Sequence, residues 1–515
     1  MDKKNIRVLQ VGNDSWDEKI ELVDKPVEWF FSSNENIVVY INNLLKNEDE
    51  NINFDAILLT DLDGLRDYEM IFKIATPYTV LIDKNQIIED KHLLELLDEF
   101  KAKKIDIDDI HKVMYDLTKY FFAGQYGDKL GIEYVQISPN FKGHIQYNGH
   151  VNLVLTGNFG LSLTPTLSWQ YNISADADYN YELWLEYEVS PNVLMALSVQ
   201  MIEQGSSNIL KQWTVEGKEL NFPLLIENHA KSAYYLAVSL KVRGQGEIKI
   251  GNLHNRLSRK NFGQFILGGE RHVDNKHEEI MTYFHPGDMK PPLNVYFSGY
   301  RPAEGFEGYW MMKKLGAPFL LITDPRLEGG AFYLGSDQIE NKILTIISQK
   351  LRELSFTNKQ LILSGLSMGT FGALYYASTL EPATVIVGKP LVNLGNVALN
   401  EKLTRPNGFP TSLDILLSTT GGTSSKHAEK LNKRFWDKFN TANFNQTVFA
   451  IVYMKNDDYD VNAYQDLLTN LSDSQAIVIS KGIPGRHNDD STAINSWFFS
   501  QYQRILTEYF QRKRQ

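Results

Sequence analysis

Residues 361–378 read LILSGLSMGTFGALYYAS, and the fold of the carboxy-terminal half turns on them. Leu361, Ile362 and Leu363 form an apolar run of strand type. Gly365-Leu366-Ser367-Met368-Gly369 is a GxSxG pentad, and the small, helix-compatible residues TFGALYYAS follow it. Strand, GxSxG and helix in that order place a serine on a sharp, strained turn with its hydroxyl exposed at the end of a sheet. Side chains on either flank would collide with the neighbouring strand and helix, so glycines stand there. Ser367 is therefore the expected nucleophile.

Working outward, NVYFSGY, PFLLITD, ATVIVG, TVFAIVYM and AIVISKG are near-continuous apolar runs, the pattern of strands buried on both faces by helices. They predict a mainly parallel, doubly wound α/β sheet of the α/β-hydrolase type over residues 258–515, with a connecting stretch before Pro291-Pro292. Residues 391–445 contain no clear strand and read as an insertion or cap.

In this fold the partners of the serine follow it in the order acid, then histidine. Of the two downstream histidines, His427 lies in polar TTGGTSSKHAEK, where a solvated surface position is expected. His487, in GIPGRHNDD after the strand AIVIS, stands where the base belongs. The acid is expected in the loop Lys455-Asn456-Asp457-Asp458-Tyr459-Asp460, with Asp457 ahead of Asp458 and Asp460 reserved for capping the next helix. Two amides must receive the charge that develops on the acyl oxygen. The expected donors are Met368, directly after the nucleophile, and the Gly299-Tyr300 turn. Arg301 beside it is a candidate anchor for an anionic group. His272 and His277, with Asp274, Glu278 and Glu279, lack the spacing of a zinc helix and read as a charged linker, so no metal is expected.

Upstream the texture changes twice. Residues 1–128 alternate β-like runs (6–12, 36–41, 55–61 and 78–83) with helical patterns such as 91–104, which predicts a Rossmann-like α/β domain. It is degenerate, because Gly12-Asn13-Asp14-Ser15-Trp16 lacks the further glycines that let a pyrophosphate approach, so no bound cofactor is expected. Residues 129–257 run strand after strand and predict a β-sandwich, jelly-roll-like and similar in its aromatics to carbohydrate-binding modules. In YELWLEYEV (181–189), Tyr181, Leu183, Leu185, Tyr187 and Val189 are expected inside and Glu182, Glu186 and Glu188 outside.

At 515 residues, with 52 Lys and Arg against 63 Asp and Glu, the net charge of -11 argues against a nucleic-acid partner. No cysteine is present, which removes thiolate nucleophiles and thiolate metal sites. The opening MDKKNIRVLQ is too short in its apolar part for a signal-peptide core, and no run approaches the length of a membrane span, so a cytoplasmic location is expected.

Taken together, YFHPGDMKPPLNVYFSGYRPAEGFEGYWM, LSGLSMGTFGALYY, YMKNDDYD and GIPGRHND resemble the family of the second accessory Sec system protein of Gram-positive cocci and lactobacilli. The resemblance spans essentially the whole chain and is most specific in the hydrolase half. It implies work beside two sister accessory proteins (one and three), the accessory SecA motor and the SecY channel, at the cytoplasmic face of the membrane, in the export of serine-rich repeat glycoproteins. It also implies O-acetylation of GlcNAc on those adhesins, with acetyl drawn from a thioester such as acetyl-CoA. By position, it carries a catalytic serine onto Ser367, the histidine onto His487 and the acid onto Asp457 or Asp458. Some relatives place glutamate in that loop. Water as the acceptor, or an adaptor role without catalysis, are the rival readings.

Overall fold

The computed structural model describes residues 5–17, 27–46, 53–228, 232–404, 408–472 and 474–513. The lysines that precede the first strand, and residues 405–407 of the expected insertion, lie outside them. The chain forms two compact units. One comprises residues 1–125 with 177–181 and 257–269, and the other comprises 126–176, 182–256 and 270–515.

The first unit holds a five-stranded parallel sheet of β1 (Ile6–Val11), β2 (Val27–Ser32), β3 (Ala56–Leu59), β4 (Val80–Asp83) and β5 (Lys103–Ile105), in the order β2-β1-β3-β4-β5. Its helices include α1 (Ile37–Lys46), α2 (Lys91–Glu99) and α3 (Ile110–Tyr120). Two expectations fail here. The β-like run at 36–41 is the first turn and a half of α1, whose Ile37 and Ile41 recur at helical spacing and are buried, while the strand at that place in the sheet is β2. The helix expected over 91–104 stops at Glu99, and Lys103–Ile105 is the edge strand β5.

In the second unit, the all-β segment is one hydrogen-bonded network of ten strands. It is organised around β6 (Asn152–Trp169), β7 (Tyr181–Val189), β8 (Val193–Glu203), β9 (Ile209–Glu216) and the long β10 (Tyr234–Leu257). Trp184 and Tyr187 are buried, and both rings pack on His277. Strand β7 departs from its expected alternation, because Glu182 and Glu186 are buried too and Val189 at its end is exposed. Glu186 has a partner inside: one oxygen lies 3.1 Å from His254 Nε2 and the other accepts from the Asn252 amide at 3.0 Å. A paired carboxylate can be buried where an unpaired one could not.

The remaining residues form an eight-stranded sheet of β11 (Gly269–Val273), β12 (Glu279–His285), β13 (Leu293–Phe297), β14 (Phe319–Thr323), β15 (Leu361–Leu366), β16 (Thr384–Gly388), β17 (Val448–Met454) and β18 (Ile477–Ile483). The order is β11-β12-β14-β13-β15-β16-β17-β18, with the pairs from β14 to β18 parallel. The expected charged linker is thus replaced by the edge strand β11 and its neighbour β12, and Asp274 in the turn between them and Glu279 at the start of β12 are buried. Helices lie on both faces of the parallel part. Phe297 stacks on Tyr376 of α5 (Met368–Leu380) on one side, and Tyr296 meets Phe498 of α10 (Ser491–Glu508) on the other. Between β14 and β15 runs α4 (Asp337–Glu353). The segment 391–445 is helical, with α6 (Leu394–Leu403), α7 (Thr411–Thr420) and α8 (Ser425–Phe439). Leu394, Ile415 and Phe435 from these helices join the same apolar core as Val295, Leu363 and Phe371. Helix α9 (Ala463–Leu471) then connects β17 to β18.

Candidate active site

Ser367 stands between β15 and α5 with φ 50° and ψ −118°. A left-handed φ is strained for a side chain with a Cβ, and such strain persists only where the surroundings enforce it. They do so here. A Cβ on Gly365 would meet the Gly369 carbonyl oxygen at 2.3 Å, and one on Gly369 would meet the Phe297 carbonyl oxygen at 2.1 Å. The Ser367 amide is fixed to the Gly388 carbonyl at 2.8 Å, so the turn is held against β16 as well.

Ser367 Oγ lies 2.8 Å from His487 Nε2, and His487 Nδ1 lies 2.8 Å from Asp457 Oδ2. The imidazole is 1% exposed; its contact with Asp457 is buried, and that with Ser367 is partly buried. A carboxylate only accepts, which puts the proton on Nδ1 and leaves Nε2 to accept from the serine. Of the two candidate acids, Asp457 is the one that reaches the ring. Its second oxygen accepts from the Tyr459 amide at 2.9 Å and the Asp460 amide at 3.3 Å. Asp458 serves the same loop differently, accepting from the His487 backbone amide at 3.0 Å.

The neighbours of these groups are largely ones that motif spacing does not reveal. The Tyr459 ring stacks on the His487 imidazole, centroids 4.3 Å apart and 7° from parallel. Lys389, at the end of β16, is also left-handed at φ 58° and donates to Ser491 Oγ at 3.2 Å. Burial lowers its pKa, against the opposing charges of Asp457 and Asp489. Asp460 does not cap α9, whose N-cap is Asn462. Its carboxylate accepts instead from the Val392 and Asn393 amides at 2.8 and 2.7 Å, bracing the loop that enters α6, and burial raises its pKa. His427 closes a capping box with Ser424 at the start of α8.

The turn after β13 is the other half of the site. Phe297 pairs with Gly365 across the sheet, so Gly299 and Ser367 each lie two residues past that register. The Gly299 amide is engaged, donating to Glu307 Oε2 at 2.6 Å. The Tyr300 amide donates to no acceptor among the described residues, and neither does that of Met368 at the first position of α5. The Tyr300 hydroxyl donates to Glu328 Oε1 at 3.1 Å, and burial, then Glu328, pushes its pKa up to about 12. The Arg301 guanidinium is turned onto its own loop, donating to the carbonyls of Ala303 and Phe306.

A buried ionic cluster fixes the far side of this turn. Glu304 lies 2.5 Å from His254 Nδ1 and accepts from Arg256 Nε at 2.6 Å, and Arg256 also bonds Glu279. Three carboxylates (Glu186, Glu279 and Glu304) thus face Arg256, Lys129 and His254, and because both His254 ring nitrogens lie against carboxylate oxygens, which only accept, the imidazole carries a proton on each. Burial alone would lower the His254 pKa, but Glu304 and Glu186 outweigh it and hold it at about 9. In the same way Arg256 and His254 overcome burial and hold Glu304 at about 2.

A hydroxyl hydrogen-bonded to an imidazole, a carboxylate bonded to the other ring nitrogen and the unengaged amides of Met368 and Tyr300 form a set suited to acyl chemistry. The family described as "Asp2: Accessory Sec system GspB-transporter" matches residues 6–512. The accessory Sec system protein Asp2 of Streptococcus gordonii is 41% identical over 513 residues, covering 99% of this chain and 100% of that one. Its counterpart in Staphylococcus aureus is 42% identical over 516 residues, covering 99% and 98%. A chain of the Glycosylation Associate Protein (Gap123) complex from Streptococcus agalactiae superposes with a TM-score of 0.92 at 40% identity, covering 99% of both chains. This chain therefore belongs to the Asp2 family of accessory Sec system proteins.

Proposed function

We propose that this chain is an accessory Sec component whose α/β-hydrolase-type half is a serine O-acetyltransferase, acting on GlcNAc of serine-rich repeat glycoproteins before their export. The observation that carries the reading is the continuous path Ser367 Oγ, His487, Asp457, with both contacts at 2.8 Å and the serine on a strained turn.

In the first half-reaction His487 Nε2 takes the Ser367 proton as Oγ attacks the carbonyl carbon of an acetyl thioester. The tetrahedral oxyanion is met by the Met368 and Tyr300 amides, Gly299 being engaged by Glu307. On collapse the C–S bond breaks and the thiol leaves with the proton from His487. In the second half-reaction a sugar hydroxyl gives its proton to Nε2 and attacks the acetyl carbon. Ser367 Oγ leaves and takes the proton back, releasing the O-acetyl sugar and restoring the enzyme. Asp457 holds the ring in the tautomer both steps need and stabilises its transient cation.

The solved relative is a chain of a Gap123 complex, which supports sister accessory proteins one and three as partners here. The accessory SecA motor and SecY channel are the proposed export partners, met by a cytoplasmic protein at the membrane. No helix among the described residues is long and apolar enough to cross a membrane.

Purified full-length protein, an acetyl thioester and a GlcNAc-bearing glycopeptide test the reading together. Acetylated glycopeptide that depends on Ser367 supports it. Acetate release with the glycopeptide unchanged makes the protein an esterase. If Ser367→Ala leaves adhesin acetylation in cells intact, only an adaptor role survives.

A further inference from the structure

The Tyr459 ring is tied down on every side. Its face covers His487, and its backbone amide donates to Asp457 Oδ1. Its hydroxyl accepts from Asn488 Nδ2 at 3.1 Å and donates to the Gly408 carbonyl at 3.3 Å. Its other contacts lead into the insertion. Phe409 stacks on it at 5.5 Å and 12°, and Phe409 in turn meets Tyr300 edge-on at 5.6 Å and Phe332 at 5.9 Å. Phe409 is itself anchored, its amide donating to Glu401 on α6 at 2.6 Å, while Thr411 Oγ1 donates to the Glu328 carbonyl at 2.9 Å. Tyr300, Phe409, Tyr459 and His487 thus form one file of rings, running from the turn with the unengaged amide, through the insertion, to the base.

We infer that Tyr459 is a positioning residue that couples the seating of residues 408–409 to the orientation of His487, and thereby sets how an acyl-enzyme divides between water and an acceptor hydroxyl. A stacked ring restricts rotation of the imidazole and presents a π face to the imidazolium formed in each half-reaction. The same ring bonds Gly408 and stacks on Phe409, so these residues and the imidazole share one packing partner, and in this inference their seating controls how far bulk water reaches the ester. Water and a sugar hydroxyl deacylate by the same route, each giving a proton to Nε2 that returns to Ser367 Oγ. What decides between them is which can reach the acetyl carbon while the ring is aligned. The partition half of the inference rests on the acyl-transfer reading. The coupling half does not.

The experiment uses full-length protein and the variants Tyr459→Leu, Tyr459→Phe and Phe409→Leu. Hydrogen–deuterium exchange is followed in peptides spanning 408–412 and 484–490. In parallel, p-nitrophenyl acetate loads the serine, and hydrolysis is compared with transfer to a GlcNAc-bearing glycopeptide. Tyr459→Leu is expected to raise exchange in both segments and to lower the transfer-to-hydrolysis ratio about fivefold, the scale of one lost aromatic pair. Tyr459→Phe keeps the stack and should raise exchange at 408–412 only. Phe409→Leu, which keeps the region apolar if Tyr459→Leu does not fold, should still raise exchange at 484–490. Exchange at 484–490 that matches wild type in both Leu variants overturns the coupling. A partition ratio unchanged in both overturns the consequence drawn from it. A wild type that shows no Ser367-dependent burst of p-nitrophenol overturns the acyl-transfer reading instead, and leaves the exchange result standing by itself.

Discussion

At the carboxyl end of β1 the polar groups spend themselves on one another, whereas at the carboxyl end of β15 one is held out. Buried Gln10 donates to the Asp14 carbonyl at 2.7 Å and accepts from the Trp16 amide and Trp29 Nε1. Asn34 closes the same rim onto the carbonyls of Asp61 and Asp63. In the larger sheet, glycines at 365 and 369 let strand and helix pack so closely that Ser367 is forced into left-handed geometry, and its hydroxyl meets a base instead of a backbone group. Both rims lie where parallel sheets commonly carry ligands. Parallel topology provides the place, and the local bonding decides whether it is a staple or a site.

Five substitutions would break or sharpen that contrast. Ser367→Ala should reduce acyl transfer by up to about 10⁶-fold, read as acetylated product by mass, because a nucleophile and its base act as a unit. Asp457→Asn should cost about 10⁴-fold by leaving the imidazole in the wrong tautomer. Asp458→Asn, which accepts from the His487 backbone amide, should cost no more than about 100-fold through misplacement, and steady-state kinetics of the two separates orienting the ring from holding its loop. Glu304→Gln takes from buried Arg256 and His254 one of the two carboxylates that each meets and should destabilise the unit by about 3–5 kcal/mol in denaturant titration. Gln10→Ala should cost about 1–3 kcal/mol in stability while activity per folded molecule stays unchanged.

The Glu304 network also predicts a pH window. His254 is held at about 9 against an ordinary 6.5, so the stability it adds is complete below 6.5 and is lost as pH rises through 9. Glu304 is held at about 2 against 4.5, so its share is complete above 4.5 and is lost as pH falls through 2. Denaturation midpoints should therefore decline on both sides of a plateau between 4.5 and 6.5, and Glu304→Gln should flatten both declines.

Much of the site could be read from the chain because its chemistry forces local sequence. A serine on a strained turn requires flanking glycines, and an acid and a histidine on loops after successive strands announce themselves by the apolar runs before them. Spacing could not choose between Asp457 and Asp458, since the choice depends on which carboxylate the turn aims at the ring. Glu182 and Glu186 were expected in water because alternation sees one strand at a time, and the cation that lets Glu186 go inside is His254, 68 positions away. The charged run at 269–285 hid two strands for the same reason: its Asp274 and Glu279 find partners only in the folded unit, among them Ser336 and Arg256. Ile37–Ile41 read as a strand because a short apolar run has no period of its own. Tyr459 left no mark in the sequence, since stacking on an imidazole requires only an aromatic near a loop.

The most direct test is to mix full-length protein with an acetyl thioester in the absence of acceptor, quench within a few turnovers and map acetyl groups by peptide mass spectrometry. One acetyl is expected on the peptide that carries Ser367, lost on adding a GlcNAc-bearing glycopeptide and absent from Ser367→Ala. Acetyl found only on lysines, or to the same extent in Ser367→Ala, would contradict it.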